Sequence, residues 1–145
     1  MKIPGVMKMK EILLYAWQLP QRLLGLLLIR VLGAEEAFNL SDGIAYWLYK
    51  PTGRFGGFIS GVSLGGYIIL KTRNVNTVRH EYGHSRQSAV FGPFYLLLVG
   101  LPSAIGNLLD RMLHKKWPVE KRLRWYYSRW PEKQADRLGG VNREY

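Results

Sequence analysis

The chain has no cysteine, only three histidines, and ten acidic residues against 21 basic ones in a length of 145. Without cysteine there is no disulfide framework, no cysteine-ligated zinc finger and no thiol nucleophile. Any metal must therefore be held by imidazole and carboxylate. No internal repeat, low-complexity tract or linker-like stretch interrupts the chain, so residues 1–145 read as a single domain. The shortage of acids leaves a net charge of +11, which points to an anionic partner, either nucleic acid or an anionic lipid surface. At 48% hydrophobic and 13% aromatic residues, wholesale disorder is excluded.

Two segments are far more apolar than the rest. Residues 12–32 predict an amphipathic or membrane-embedded helix, although Arg22, Arg30 and Pro20 make it a poor membrane span. With Lys2, Lys8 and Lys10 in front it also has the outline of a signal peptide. Leu32 at the −3 position before Ala34 does not suit an A-x-A-type cleavage site. Residues 91–109 carry no charge and would make about 28 Å of helix. Pro102 predicts a break near the middle, hence an apolar hairpin or re-entrant segment.

Between these runs, residues 44–71 predict short antiparallel strands. Tyr46, Trp47 and Tyr49 precede a turn at Lys50-Pro51-Thr52-Gly53, and Phe55, Phe58, Ile59, Val62, Leu64 and Tyr67 to Leu70 follow, punctuated by glycine. A helix is expected over 74–91, capped by Asn74 or Asn76 and closed by Gly92-Pro93. Residues 110–130 form a basic helical segment broken at Pro118, and a short helix over 131–138 ends at Gly139-Gly140. The expected fold is α+β and mostly helical.

The chemistry concentrates in His80-Glu81-Tyr82-Gly83-His84, an H-E-x-x-H inside the 74–91 helix. Residues i and i+4 share a helix face, so both imidazoles can reach one ion, and Glu81 stands where it can accept a proton from water. At this chain's His and Glu frequencies an accidental match has a probability of roughly 0.3%; the bland alternative is a solvated face carrying two histidines. Gly83 costs the helix about 1 kcal/mol relative to Ala, which is easier to accept where another backbone or a substrate approaches. A third ligand is needed, and Asp110, His114, Glu120, Glu132 and Asp136 are the downstream candidates. Glu132 is preferred, because Glu132 and Asp136 at i, i+4 also share a face; Asp136 could then accept the free ring N–H of a ligating histidine. His114 with Asp110 is the rival source. The two acids could instead simply neutralise Arg129, Lys133 and Arg137.

H-E-Y-G-H followed by E-K-Q-A-D resembles the zincin metallopeptidases, and within them the gluzincin branch. The resemblance implies a minimal zincin-like core, Zn2+ held by His80, His84 and Glu132, Glu81 as general base, and Asp136 as ligand support. The wider pattern also resembles a group of small bacterial membrane-associated H-E-x-x-H proteins, through Trp17 to Gln21, Ser63-Leu64-Gly65, His80 to Ser103 and Tyr126 to Val141.

Were residues 91–109 to cross a bilayer once, His84 and Glu132 would lie on opposite sides. A return through 110–131 would bury many charges, each costing about 2.5–3.5 kcal/mol at the bilayer centre. The run is therefore embedded from one face or belongs to a soluble core. With the basic balance, the first option predicts an anionic, cytoplasm-facing membrane surface as partner. The expected function is zinc-dependent peptide hydrolysis, with Tyr126, Tyr127 or His114 donating to the oxyanion. Alternatives are a non-catalytic membrane scaffold with a structural or vestigial zinc site, and nucleic-acid binding by residues 110–130, for which no recognisable module is present.

Overall fold

In a computed structural model of the protein, residues 8–39, 43–50 and 60–144 are described. The fold is α+β and mostly helical, as expected. Helices α1 (Met9–Trp17) and α2 (Leu19–Leu32) lead into strands β1 (Glu35–Asn39), β2 (Ala45–Leu48), β3 (Gly61–Leu64) and β4 (Tyr67–Leu70). Helices α3 (Val75–Phe91), α4 (Leu101–Leu113), α5 (Val119–Tyr127) and α6 (Glu132–Gly139) follow. Apart from Lys50 itself, the expected turn at Lys50-Pro51-Thr52-Gly53, together with Phe55, Phe58 and Ile59, falls outside the described residues.

The sheet order is β1-β2-β4-β3. β3 and β4 form the expected antiparallel hairpin, but β2 pairs with β4 in parallel, so the sheet is mixed rather than wholly antiparallel. The chain leaves β2 and re-enters at the far edge as β3, and the hairpin return then lays β4 beside β2. Strand β1 was not foreseen, because Glu35-Glu36-Ala37-Phe38-Asn39 has no clean alternation. It is held by antiparallel pairing with β2 and by Phe38 stacked on Tyr46 at 4.5 Å.

Both faces of the sheet are covered, which is why β4 is an unbroken apolar run. Tyr46, Ile68 and Leu70 pack with Val78 and Tyr82 of α3. Ile69 and Tyr49 face the other way, onto Ile29, Leu28 and Leu32 of α2. Segment 17–21 ties α2 to the end of α3. Trp17 Nε1 donates to the Ala89 carbonyl, Gln18 and Gln21 both donate to Ser88 Oγ at 3.0 Å, and Gln21 also reaches the Gly92 carbonyl.

Asn74 caps α3, its Oδ1 accepting from the backbone of Asn76 and Thr77 at 3.0 and 3.2 Å. The apolar run after α3 corrects the expected hairpin. It turns once, in a 3-10 turn at Gly92–Phe94, and then forms an unbroken 18-residue helix from Leu96 to Leu113 whose first five residues are π-helical. Proline at 102 removes the N–H that an α-helix would offer to the carbonyl of Leu98. The π-turn absorbs the register change, and Trp130 Nε1 donates to that carbonyl at 2.9 Å. This helix is long and apolar enough to cross a membrane, and only 6% of it is buried within the protein. α1 and α2 would qualify only together, and they are bent by 77°.

Candidate metal centre

α3 and α6 meet backbone to backbone. A Cβ on Gly83 would stand 1.9 Å from the Ala135 carbonyl oxygen, and one on Gly139 would stand 1.9 Å from that of Arg79. The glycine inside H-E-x-x-H is thus explained by the approach of a second helix rather than of a substrate. That approach carries Glu132 and Asp136 onto the histidines.

His80 Nε2 lies 2.9 Å and His84 Nε2 3.1 Å from the same oxygen, Glu132 Oε2. The three residues are buried, with Glu132 only 1% exposed, and among the described residues they are the one His, Asp and Glu group placed to hold a metal ion. The outer ring nitrogens are also committed. His80 Nδ1 meets Asp136 Oδ1 at 2.7 Å, and Arg143 holds Asp136 through two hydrogen bonds. His84 Nδ1 meets Gln87 Oε1 at 2.7 Å. The amide nitrogen of Gln87 donates to the Pro131 carbonyl and to Gln134 Oε1, so its oxygen is the acceptor and His84 Nδ1 carries a proton. Nε2 of His84 therefore faces a carboxylate oxygen as a bare acceptor unless a further cation, a proton or a metal ion, stands between them. This donor set fits a metal: two imidazoles with fixed tautomers and one carboxylate, all buried.

The charges follow the same geometry. Burial works against a charged His80, but hydrogen bonds to Asp136 and Glu132 outweigh it and lift the ring from 6.5 to about 9. Burial likewise opposes the Glu132 carboxylate, and the hydrogen bonds from both histidines win, holding it well below the usual range.

Glu81 points into the same place. Its carboxyl is 5% exposed, Oε2 has no hydrogen-bond partner, and burial raises its pKa against the pull of His84 and His80. It lies under β3, where a Cβ on Gly61 would come 2.7 Å from Oε1. A cleft of about 320 Å³ opens above it, walled by β3, by Val99, Gly100, Ser103 and Asn107 of the apolar helix, and by Tyr126 and Tyr127.

Of the three expected oxyanion donors, two reach this cleft. Tyr126 is committed elsewhere: its hydroxyl donates to Glu132 Oε1 at 3.0 Å and stands 3.1 Å from Ser103 Oγ. Burial and the Glu132 charge raise its pKa far above the ordinary phenol, so it stays protonated. Tyr127 packs edge-on against the His80 ring at 5.1 Å, and burial pushes its pKa up to about 12. His114 is not part of the site. It stacks on Trp117 at 3.7 Å and sits 3.3 Å from Asp110, which is paired with Arg122. Glu120 lies on the exposed side of α5 near Arg124. The rival ligands are thus kept apart from α3.

Gln87, Arg143, Ser103 and Gly61 were missed from sequence. Gln87, three residues after His84 on the same helix face, was the one with a readable signal. No family model, no curated protein and no solved structure matches this chain.

Proposed function

We propose that this protein is a zinc-dependent peptidase working at an anionic membrane surface. The observation that carries the hydrolase reading is Glu81: a buried carboxyl with an unpartnered oxygen, beside three convergent ligand atoms and open to a cleft. A two-imidazole, one-carboxylate set leaves a fourth position open and suits zinc. His80, His84 and Glu132 would hold the ion, which supplies Lewis-acid polarisation and acidifies water when bound.

The remaining work falls to the chain's own groups. The raised pKa of Glu81 suits a base that takes a proton from water as its oxygen attacks the peptide carbonyl carbon, then delivers that proton to the amine nitrogen as the C–N bond breaks. Tyr127, protonated at neutral pH and lining the cleft, would donate to the oxyanion. Among the described residues β3 is an edge strand beside the cleft, where an extended peptide would pair with backbone groups other than the Ser63 carbonyl, which already accepts the Tyr95 hydroxyl.

The membrane part rests on exposed apolar rows. Leu23, Leu27 and Val31 of α2 and Leu97, Leu101, Ile105 and Leu108 of the apolar helix are 47–62% exposed. Leu28 of α2 and Leu96 of the apolar helix both pack on the cluster of Leu64, Tyr95 and Val99, so the two helices share one apolar cluster.

The test is zinc content and peptidase activity, measured on wild type, His80→Ala, Glu132→Ala and Glu81→Gln. Loss of zinc in the first two variants, and loss of activity with zinc retained in the third, is the expected pattern. Stoichiometric zinc in both ligand variants removes the site. Full activity in Glu81→Gln removes Glu81 as the base, and no peptidase activity in the zinc-loaded wild type leaves a non-catalytic metal protein.

A further inference from the structure

The helix from Leu96 to Leu113 has two different sides. Val99, Gly100, Ser103 and Asn107 wall the cleft, and Ser103 also reaches Tyr126, whose hydroxyl holds the third ligand candidate. Leu97, Leu101, Ile105, Leu108 and Met112 lie on the other side, exposed and apolar. One helix thickness, about 10–12 Å with side chains, thus separates the cleft from this apolar surface.

Charge decides what covers that surface. Lys8 and Lys10 open α1, and Lys115, Lys116, Lys121, Arg124 and Arg129 follow the apolar helix, all exposed. A second copy would bring like charges together, whereas an anionic bilayer neutralises them and receives the apolar rows. Trp17 and Trp130, 45% and 48% exposed, both stand at the C-terminal end of α3, against Ala89 and Phe91, and suit the lipid–water boundary.

We infer that the cleft takes its peptide from the membrane: its substrate class is a polypeptide with an apolar membrane-embedded segment, cut a few residues from where that segment leaves the lipid. This rests on the peptidase reading above and adds the substrate class to it. An extended chain advances about 3.3 Å per residue, so about three or four residues carry it past the helix from lipid to cleft. The small side chains on the cleft side, Gly100 and Ser103, leave room for it.

The experiment uses the full chain loaded with zinc, in vesicles of phosphatidylglycerol and phosphatidylcholine. Two peptides carry the same zinc-directed hydroxamate and the same transmembrane segment, with the hydroxamate about four or about fifteen residues from the apolar segment. A third is the hydroxamate peptide with no apolar segment. Both tethered probes gain from confinement to the membrane, so comparing them isolates position from mere tethering. The expected result is that the near probe binds at least about tenfold tighter than the distant one, a margin of about 1.4 kcal/mol. Leu101→Lys with Leu108→Lys is expected to abolish that margin while zinc content and binding of the untethered probe persist. Equal binding of the two tethered probes, with zinc held and the untethered probe bound, overturns this inference and leaves the peptidase reading intact. Failure to hold zinc or to bind any hydroxamate overturns both.

Discussion

Nδ1 of His80 lies 2.7 Å from Oδ1 of Asp136, a contact between residues 56 positions apart that joins α3 to α6. Asp136 is itself held by Arg143, whose guanidinium also lies 3.3 Å from the Tyr127 ring centroid. The carboxylate thus fixes which nitrogen of His80 faces Glu132 and raises its basicity. Asp136→Asn is expected to weaken zinc binding by about 10–100-fold, the usual effect of removing such support. Competitive titration against a chelator of known affinity measures it. An unchanged affinity would remove Asp136 from the site.

Gly83 carries the α3–α6 contact. Gly83→Ala puts a methyl group against the Ala135 carbonyl, which is backbone and cannot rotate away. The helices must separate, at an expected cost of at least about 3 kcal/mol. Urea denaturation of the metal-free protein measures the loss, and zinc affinity should fall with it. A variant as stable as wild type contradicts the close approach.

Gly61 plays a separate part, because a Cβ there meets the Glu81 carboxyl and not a ligand. Gly61→Val is expected to displace Glu81, lowering kcat about 100-fold or more, the range for loss of a general base, while zinc stoichiometry stays at the wild-type value. Loss of zinc instead would mean that β3 supports the ligands.

The pH dependence follows from His80. Its pKa in the metal-free fold, about 9, lies above the ordinary 6.5. A raised value stabilises the fold fully below pH 6.5, and that contribution is lost as pH rises through about 9. The metal-free protein should therefore lose stability from pH 6.5 to 9. Zinc must displace that proton, so binding at pH 7 should release about one proton per ion. Calorimetry in buffers of different ionisation enthalpy reads this number directly; a release of zero contradicts it.

Membrane association should depend on both charge and apolar contact. Flotation with phosphatidylglycerol-containing vesicles is expected to recover the protein, with recovery falling as salt rises. Neutral vesicles should recover less. Leu97→Lys with Ile105→Lys should abolish flotation without loss of zinc. Equal recovery by neutral and anionic vesicles at all salt concentrations would rule out the electrostatic part.

Much of the site was legible because it is local or nearly so. Residues i and i+4 of H-E-x-x-H share a face wherever a helix forms, and Asn74 caps that helix through its own side chain. Glu132 and Asp136 follow the same spacing on a second helix. Pro102 misled because its local effect is a break, and that effect is offset by a residue 28 positions later, Trp130. β1 and the parallel pairing of β2 with β4 were invisible for a related reason: strand order depends on where the chain returns, and four or five residues carry no record of their neighbour.

The sequence alone determined which residue types face together on each helix and that any metal must bind imidazole and carboxylate, since helical periodicity and composition are properties of the chain itself. The tertiary structure decided the rest. It chose Glu132 over Asp110, His114 and Glu120 by letting α6 pack against α3 through two glycines. It turned Tyr126 toward Glu132 and gave the apolar helix one side facing the cleft and one exposed. Such choices depend on contacts between segments far apart in sequence, and only packing brings those segments within a few ångströms of each other.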